Sequence, residues 1–97
     1  MREFLTLGEI VVSGEKALEI SEALNSASLR MLRLLLKERL DVSTIAERLG
    51  MSEAYISEQI QTLERLGLIR TNYERGKRGV RKVCETAVTK ITIIIEP

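Results

Sequence analysis

The 97-residue sequence predicts an α+β fold, mainly α, with helices through its middle and strands at both ends. Three observations predict it. Apolar residues recur at helical spacing between residues 15 and 66, the period then switches to β-like runs, and Gly14, Gly50 and Gly67 stand where one pattern gives way to the next.

Length and composition bound the possibilities. The chain fits one domain over residues 1–97, divided into an N-terminal strand arm (1–14), a core (15–86) and a C-terminal strand (87–97). Its 44% hydrophobic and 30% charged residues belong to a folding sequence rather than a disordered one. No apolar run reaches the roughly 18 residues that span a bilayer, and the start lacks a secretory pattern, so a cytoplasmic protein is expected. Cys84 is the single cysteine and histidine is absent, which removes the commonest metal ligand and acid/base group. No enzyme activity, metal or other cofactor is therefore expected. Few amides and abundant Glu, Lys and Arg lean toward the composition of a thermophile.

The net charge of +1 hides a polarised chain. Residues 1–64 carry seven Lys/Arg against eleven Asp/Glu, a net of −4, whereas residues 65–97 carry eight against three, a net of +5. Within the second part, residues 65–82 hold seven basic side chains and only Glu74 against them. Such a patch suits a polyanion, because each Lys or Arg on a phosphate releases condensed counterions; it also suits a solvated hairpin with no ligand.

The opening EFLTLGEIVVSG is rich in β-formers and stops at Ser13-Gly14, as a strand or short hairpin. Residues 15–24 put Ala17, Leu18, Ile20 and Leu24 near one side of a short amphipathic helix. A second helix, capped by Ser26 and running to about residue 38, is apolar at Leu29, Met31, Leu32, Leu34, Leu35 and Leu36, with Arg30, Arg33 and Lys37 as its outer stripe. It is expected to be central. In LDVSTIAERLG, Val42 reads as extended, Ser43 as a cap, and Ile45, Ala46 and Leu49 as a narrow inward face ended by Gly50. Ser52 can cap a longer helix to about residue 66, with Ile56, Ile60, Leu63 and Leu66 on one face. Two short helices joined by a glycine-containing turn are the sequence form of a helix-turn-helix. After Gly67 come LIRTNY, a turn ERGKRG in which Gly76 and Gly79 are expected at positive φ, and VRKVCET: a basic β-hairpin. The final VTKITIIIE alternates Ile91, Ile93 and Ile95 with Lys90, Thr92, Ile94 and Glu96.

The phrases DVSTIAERLGMSEAYISEQIQTLERLGLI and RTNYERGKRGVRK resemble the winged helix-turn-helix transcription regulators of the ArsR-like class, over roughly residues 23–86. The carrying motifs are the apolar MLRLL, the I-A-x-x-L-G-M-S turn, the I-S-x-x-I-x-x-L frame, the L-x-x-L-G-L-I exit and the basic G-K-R-G tip. The resemblance implies a sequence-specific regulator that binds double-stranded DNA as a homodimer. It implies that Ser52, Ala54, Tyr55, Ser57 and Gln59 face the major groove, while Arg75, Lys77, Arg78 and Arg81 of the wing probe phosphate or the minor groove. Three departures stand out: Ser28 replaces a common arginine, the metal sensors' cysteine pair is absent from residues 43–49, and their C-terminal ligands are missing.

Each residue also has a plainer reading. Ser57, Gln59 and Tyr55 can be a solvated helix face, with the Tyr55 ring against the wing, and Ser52 can be only a cap. Glu53 and Glu58 repel phosphate unless they point away from it or accept from cytosine amino groups, which favours the rival reading of a protein-interaction winged helix. GKRG also fits the G-x-x-G loop of an RNA-binding KH module, but that loop joins helices and this one joins strands. Cys84 reads as a half-buried strand residue or as a redox sensor without a resolving partner. The β-prone end needs a cover, and the N-terminal segment is the remaining strand without a partner. The two are expected to pair, within one chain or between chains, and to form a two-fold interface together with the first helix.

Overall fold

The computed structural model describes residues 8–96; residues 1–7 of the expected strand arm lie outside them. The elements follow as β1 (Gly8–Val12), α1 (Gly14–Ala23), α2 (Ser26–Lys37), β2 (Leu40–Asp41), α3 (Val42–Leu49), α4 (Glu53–Arg65), β3 (Ile69–Gly76), β4 (Gly79–Thr86) and β5 (Val88–Ile93). The fold is thus α+β with a helix-turn-helix, a long hairpin and terminal strands, as the sequence predicts. Two sheets form: an antiparallel one in the order β2-β4-β3, and a parallel pair β1-β5.

Helical spacing builds the core. Ile56, Ile60 and Leu63 line one face of α4 and are wholly buried, and Leu66 just beyond is nearly so. They share a cluster with Met31 and Leu35 of α2, Ile45 and Ala46 of α3, Leu68, Ile69 and Cys84. Truncating one such buried isoleucine to alanine costs about 2 to 5 kcal/mol, through lost burial and the cavity left behind.

Two predicted caps move by one or two residues. Asn25, not Ser26, caps α2: its side chain accepts from the Ser28 N–H at 2.9 Å, while Ser28 Oγ accepts from the Asn25 N–H at 2.7 Å. Asp41, not Ser43, caps α3, accepting from the Thr44 N–H at 2.9 Å, so Val42 opens the helix instead of extending a strand. In both cases a side chain three residues before the exposed N–H reaches it better than one already inside the first turn. Ser28 Oγ also donates to the Ala23 carbonyl at 2.9 Å, which gives the buried serine a structural task.

The expected apolar faces are narrower than the sequence suggests. Leu18 is exposed, because it turns outward with Glu15 and Glu22 while Ala17 and Ile20 turn in. Leu29 and Leu36 are exposed on α2, whose buried face is Ala27, Ser28, Met31, Leu32 and Leu35. Of the alternating C-terminal isoleucines Ile91, Ile93 and Ile95, Ile91 is half-buried, Ile93 is exposed at the end of β5, and Ile95 lies beyond it at 96% exposure.

The terminal strands pair within the chain. β1 and β5 run parallel, with Ile10 beside Ile91 and Val12 beside Ile93, and the Ile94 N–H extends the ladder to the Val12 carbonyl at 2.8 Å. Val12 is buried, and Ile10, Val88 and Ile91 pack partly against the core.

Cys84 sits on the middle strand β4 opposite Leu40 and Thr71, with no exposed surface. It is more deeply enclosed than a half-buried strand residue, and burial raises its thiol pKa to about 11. The native protein should therefore fail to react with a thiol-specific disulfide reagent at pH 8, and release one equivalent of chromophore once unfolded in guanidinium. Rapid native reaction would contradict this enclosure.

Candidate nucleic-acid interface

Three residues separate α3 from α4, and their backbone geometry sets the angle between the helices. Gly50 takes φ +67°, a left-handed conformation costly for other residues, and the Met51 N–H returns to the Ala46 carbonyl at 2.9 Å. Ser52 then caps α4, its Oγ accepting from the Tyr55 N–H at 3.1 Å. This satisfies one orphan N–H and leaves the start of α4 exposed, with Ser52, Ala54 and Tyr55 open to solvent.

The helical period orders the remaining α4 positions. With Ile56, Ile60 and Leu63 inward, Ala54, Glu58, Gln61 and Arg65 recur at four, three and four residues along the opposite, exposed stripe. Ser57 and Gln59 lie half-buried on the two flanks between stripe and core. Gln61 and Arg65 were absent from the sequence-based choice, although counting outward from the isoleucine frame finds them.

The hairpin β3-β4 closes in strict antiparallel register from Ile69 opposite Thr86 to Gly76 opposite Gly79, leaving Lys77 and Arg78 as a two-residue turn. Only Gly79 adopts positive φ (+106°); Gly76 does not, contrary to expectation. A Cβ at Gly76 would meet the Gly79 carbonyl oxygen at 3.4 Å and the Arg81 side chain at 3.5 Å, ordinary van der Waals contact.

Strand alternation gives the hairpin two chemically different faces. Ile69 and Cys84 lie on the inner face and join the core, followed outward by Thr71 and Lys82, both reaching Glu64 of α4 at 2.6 and 3.7 Å. Farther out the same face presents Tyr73, Arg75 and Val80, all exposed. The other face carries a network of ion pairs. Arg39 bridges Glu74 and Glu85, Arg70 meets Glu85 at 3.6 Å, and Arg81 reaches Asp41 at 3.2 Å. Arg75, Lys77 and Arg78 at the tip have no ion-pair partner among the described residues, so the charge left over gathers there. The tip and the start of α3 frame an open cleft of about 640 Å³ lined by Asp41, Ser43, Lys77, Arg78 and Arg81.

Asp41 serves both elements. Its carboxyl is held below the usual carboxylate range by hydrogen bonding with Thr44 and, more weakly, by Arg81. Among the described residues, no group of three or more His, Cys, Asp or Glu could hold a metal ion, and no helix is long and apolar enough to cross a membrane.

Residues 25–71, from the start of α2 through α3, the tight turn and α4 to the beginning of β3, match the model of the bacterial regulatory protein arsR family. The fold is a winged helix-turn-helix, and the chain is similar to the ArsR-family regulators. Solved structures agree. Reduced HlyU from Vibrio cholerae is 27% identical, with a TM-score of 0.63 over 76% of this chain and 75% of that one. The homodimeric winged helix-turn-helix DNA-binding domain of Mb0332 from Mycobacterium bovis is 28% identical, with a TM-score of 0.65 over 75% and 65%. HlyU from Vibrio vulnificus is 25% identical, with a TM-score of 0.61 over 74% and 72%. No curated protein matches the sequence. ArsR-family regulators are DNA-binding transcription regulators rather than enzymes, and α4 stands in the recognition-helix position of this ArsR-like fold.

Asp41→Ala should destabilise the chain by about 1 kcal/mol at pH 7, chiefly through the lost cap. Because the native carboxyl is held low, this contribution is present above the unfolded value of about 3.9 and is lost as pH falls through the native one. Urea unfolding followed by circular dichroism should show the gap between variant and wild type closing on acidification; a constant gap would contradict the carboxylate's role.

Proposed function

We propose that the chain is a sequence-specific double-stranded DNA-binding regulator that works as a homodimer, with α4 in the major groove and the hairpin wing on phosphate or the minor groove. The observation that carries this reading is the distribution of free charge. Ion pairs engage Arg39, Arg70, Arg81 and Lys82, whereas Arg75, Lys77 and Arg78 at the tip of the hairpin are unpaired among the described residues. A tip of that kind can exchange counterions for phosphates.

An exposed helix of the width of α4 fits the major groove and reads base edges from its N-terminal half. Gln59 can pair bidentately with adenine; Tyr55 and Ser57 can serve bases or phosphates, and the exposed start of α4 at Ser52 and Ala54 allows close backbone approach. Gln61 and Arg65 extend the same surface. Arg81 contributes less than its tip neighbours, because leaving Asp41 offsets part of what a phosphate would provide. Homodimeric Mb0332 supports the dimer, which would set two α4 helices about 34 to 36 Å apart on a near-palindromic site.

Glu53 and Glu58, exposed on the same helix, favour a protein-interaction module as the second reading. Gel shifts on mixed DNA fragments at physiological salt distinguish the two, since such a module should give no specific retardation.

Replacing Arg75, Lys77 and Arg78 together with alanine should weaken all DNA sites alike and flatten the plot of log affinity against log salt by about 0.9 per lost phosphate contact. An unchanged slope would remove the wing from the interface. Gln59→Ala should relax preference at one base pair, at about 1 to 3 kcal/mol, when tested against a panel of single-position variants of a selected site. Uniform losses across the panel would make Gln59 a backbone contact instead.

A further inference from the structure

Two exposed helix faces are unused by the fold and by the DNA-binding surface, and they are opposite in kind. On α1, Glu15, Leu18 and Glu22 recur at three and four residues and so share one outward face. Leu18 is 56% exposed, and none of Glu15, Glu19 and Glu22 has an ion-pair partner among the described residues. On α2, Leu29, Arg33 and Leu36 recur at four and three residues on an outward face, flanked by Arg30 and Lys37. Leu29 and Leu36 are 45% and 46% exposed, and Arg30, Arg33 and Lys37 likewise lack an acidic partner among the described residues.

The α2 face has a receiving shape. Leu29, Leu32 and Leu36 of α2, with Val88 and Ile91 of β5, line an apolar groove of about 190 Å³ that Arg33 and Lys90 edge with positive charge. Apolar side chains ringed by unpaired charges of one sign mark a surface awaiting a partner of the other sign. The same chain carries a leucine ringed by glutamates.

We propose that α1 of a second copy occupies this groove, with Leu18 between Leu29 and Leu36 and the α1 glutamates against Arg30, Arg33 and Lys37. Both faces belong to each copy, so two reciprocal contacts can close around a two-fold axis. This rests on the dimer named under the proposed function and specifies its surface: the interface is encoded by charge, acidic α1 against basic α2, and the terminal strand β5 helps form it. The leucines supply apolar area, and the charges supply register and orientation.

Reciprocity makes the proposal testable by exchange. A variant with Glu15→Lys and Glu22→Lys makes both faces basic; a variant with Arg30→Glu and Arg33→Glu makes both acidic. All four positions are exposed, and circular dichroism melts confirm folding of each variant. Analytical ultracentrifugation of wild type should show a dimer, and each variant alone should dissociate at least tenfold more readily. An equimolar mixture should form a dimer again, because basic α1 then meets acidic α2 at one contact and native acidic α1 meets native basic α2 at the other. Raising the salt from 50 mM to 500 mM should weaken the wild-type dimer.

Dimerisation of each variant at wild-type affinity, or a mixture no tighter than its components, would overturn this surface and leave the dimer intact with another one. A wild type that remains monomeric at micromolar concentration would overturn the dimer itself, and this surface with it. A variant that fails to fold is replaced by Leu18→Lys, which should also disrupt the dimer without reversing a glutamate; an undisturbed dimer would again overturn the surface.

Discussion

The short strand β2 joins the halves of this molecule, and Asp41 concentrates that role in one residue. Its backbone pairs opposite Val83 in the middle strand of the sheet, its carboxylate caps α3, and the same carboxylate holds Arg81 of the wing. A displacement of β2 along β4 would therefore tilt α3, and α4 with it, against the hairpin. The exposed ion pair adds little stability by itself. Its larger effect is geometric, because a carboxylate shared between a cap and a guanidinium correlates the orientations of helix and wing.

The charge pattern acquires meaning only in three dimensions. Seven basic residues within residues 65–82 look like one patch in the sequence, yet alternation along the strands sends them to different faces. Acidic residues distant in sequence, Asp41 and Glu64, meet Arg81 and Lys82, while Glu74 and Glu85 meet Arg39 and Arg70. Within the hairpin, the basic residues left without an ion pair among the described residues, Arg75, Lys77 and Arg78, stand at the tip, where they can act on a neighbour without first breaking an internal contact.

Helices and the hairpin were legible because each rests on a local period: Ile56, Ile60 and Leu63 at helical spacing, and glycines at the turns. The caps were less so. Asn25, Ser26, Ser28, Asp41 and Ser43 all have capping chemistry, and only the position of the first exposed N–H decides among them. A two-residue strand such as Leu40–Asp41 has no period to detect; its existence follows from β4 lying alongside. Positive φ at Gly79 but not at Gly76 depends on which side of a two-residue turn carries the irregularity. For α4, residue types drew attention to Ser57 and Gln59, whereas the stripe of Ala54, Glu58, Gln61 and Arg65 emerges from the inward frame.

The parallel pairing of β1 and β5 has a kinetic consequence. Gly8 lies beside Val88, so the ladder closes a loop of about 80 residues, whereas the wing hairpin closes through two. Contacts of such long sequence separation reward the chain only after the intervening helices have assembled. The terminal ribbon should thus be the last element to dock and the first to detach, a sub-global unit with its own opening equilibrium above the core's slower one. Since β5 also walls the groove beside α2, each such opening would remove one side of that groove while the helix-turn-helix stayed folded.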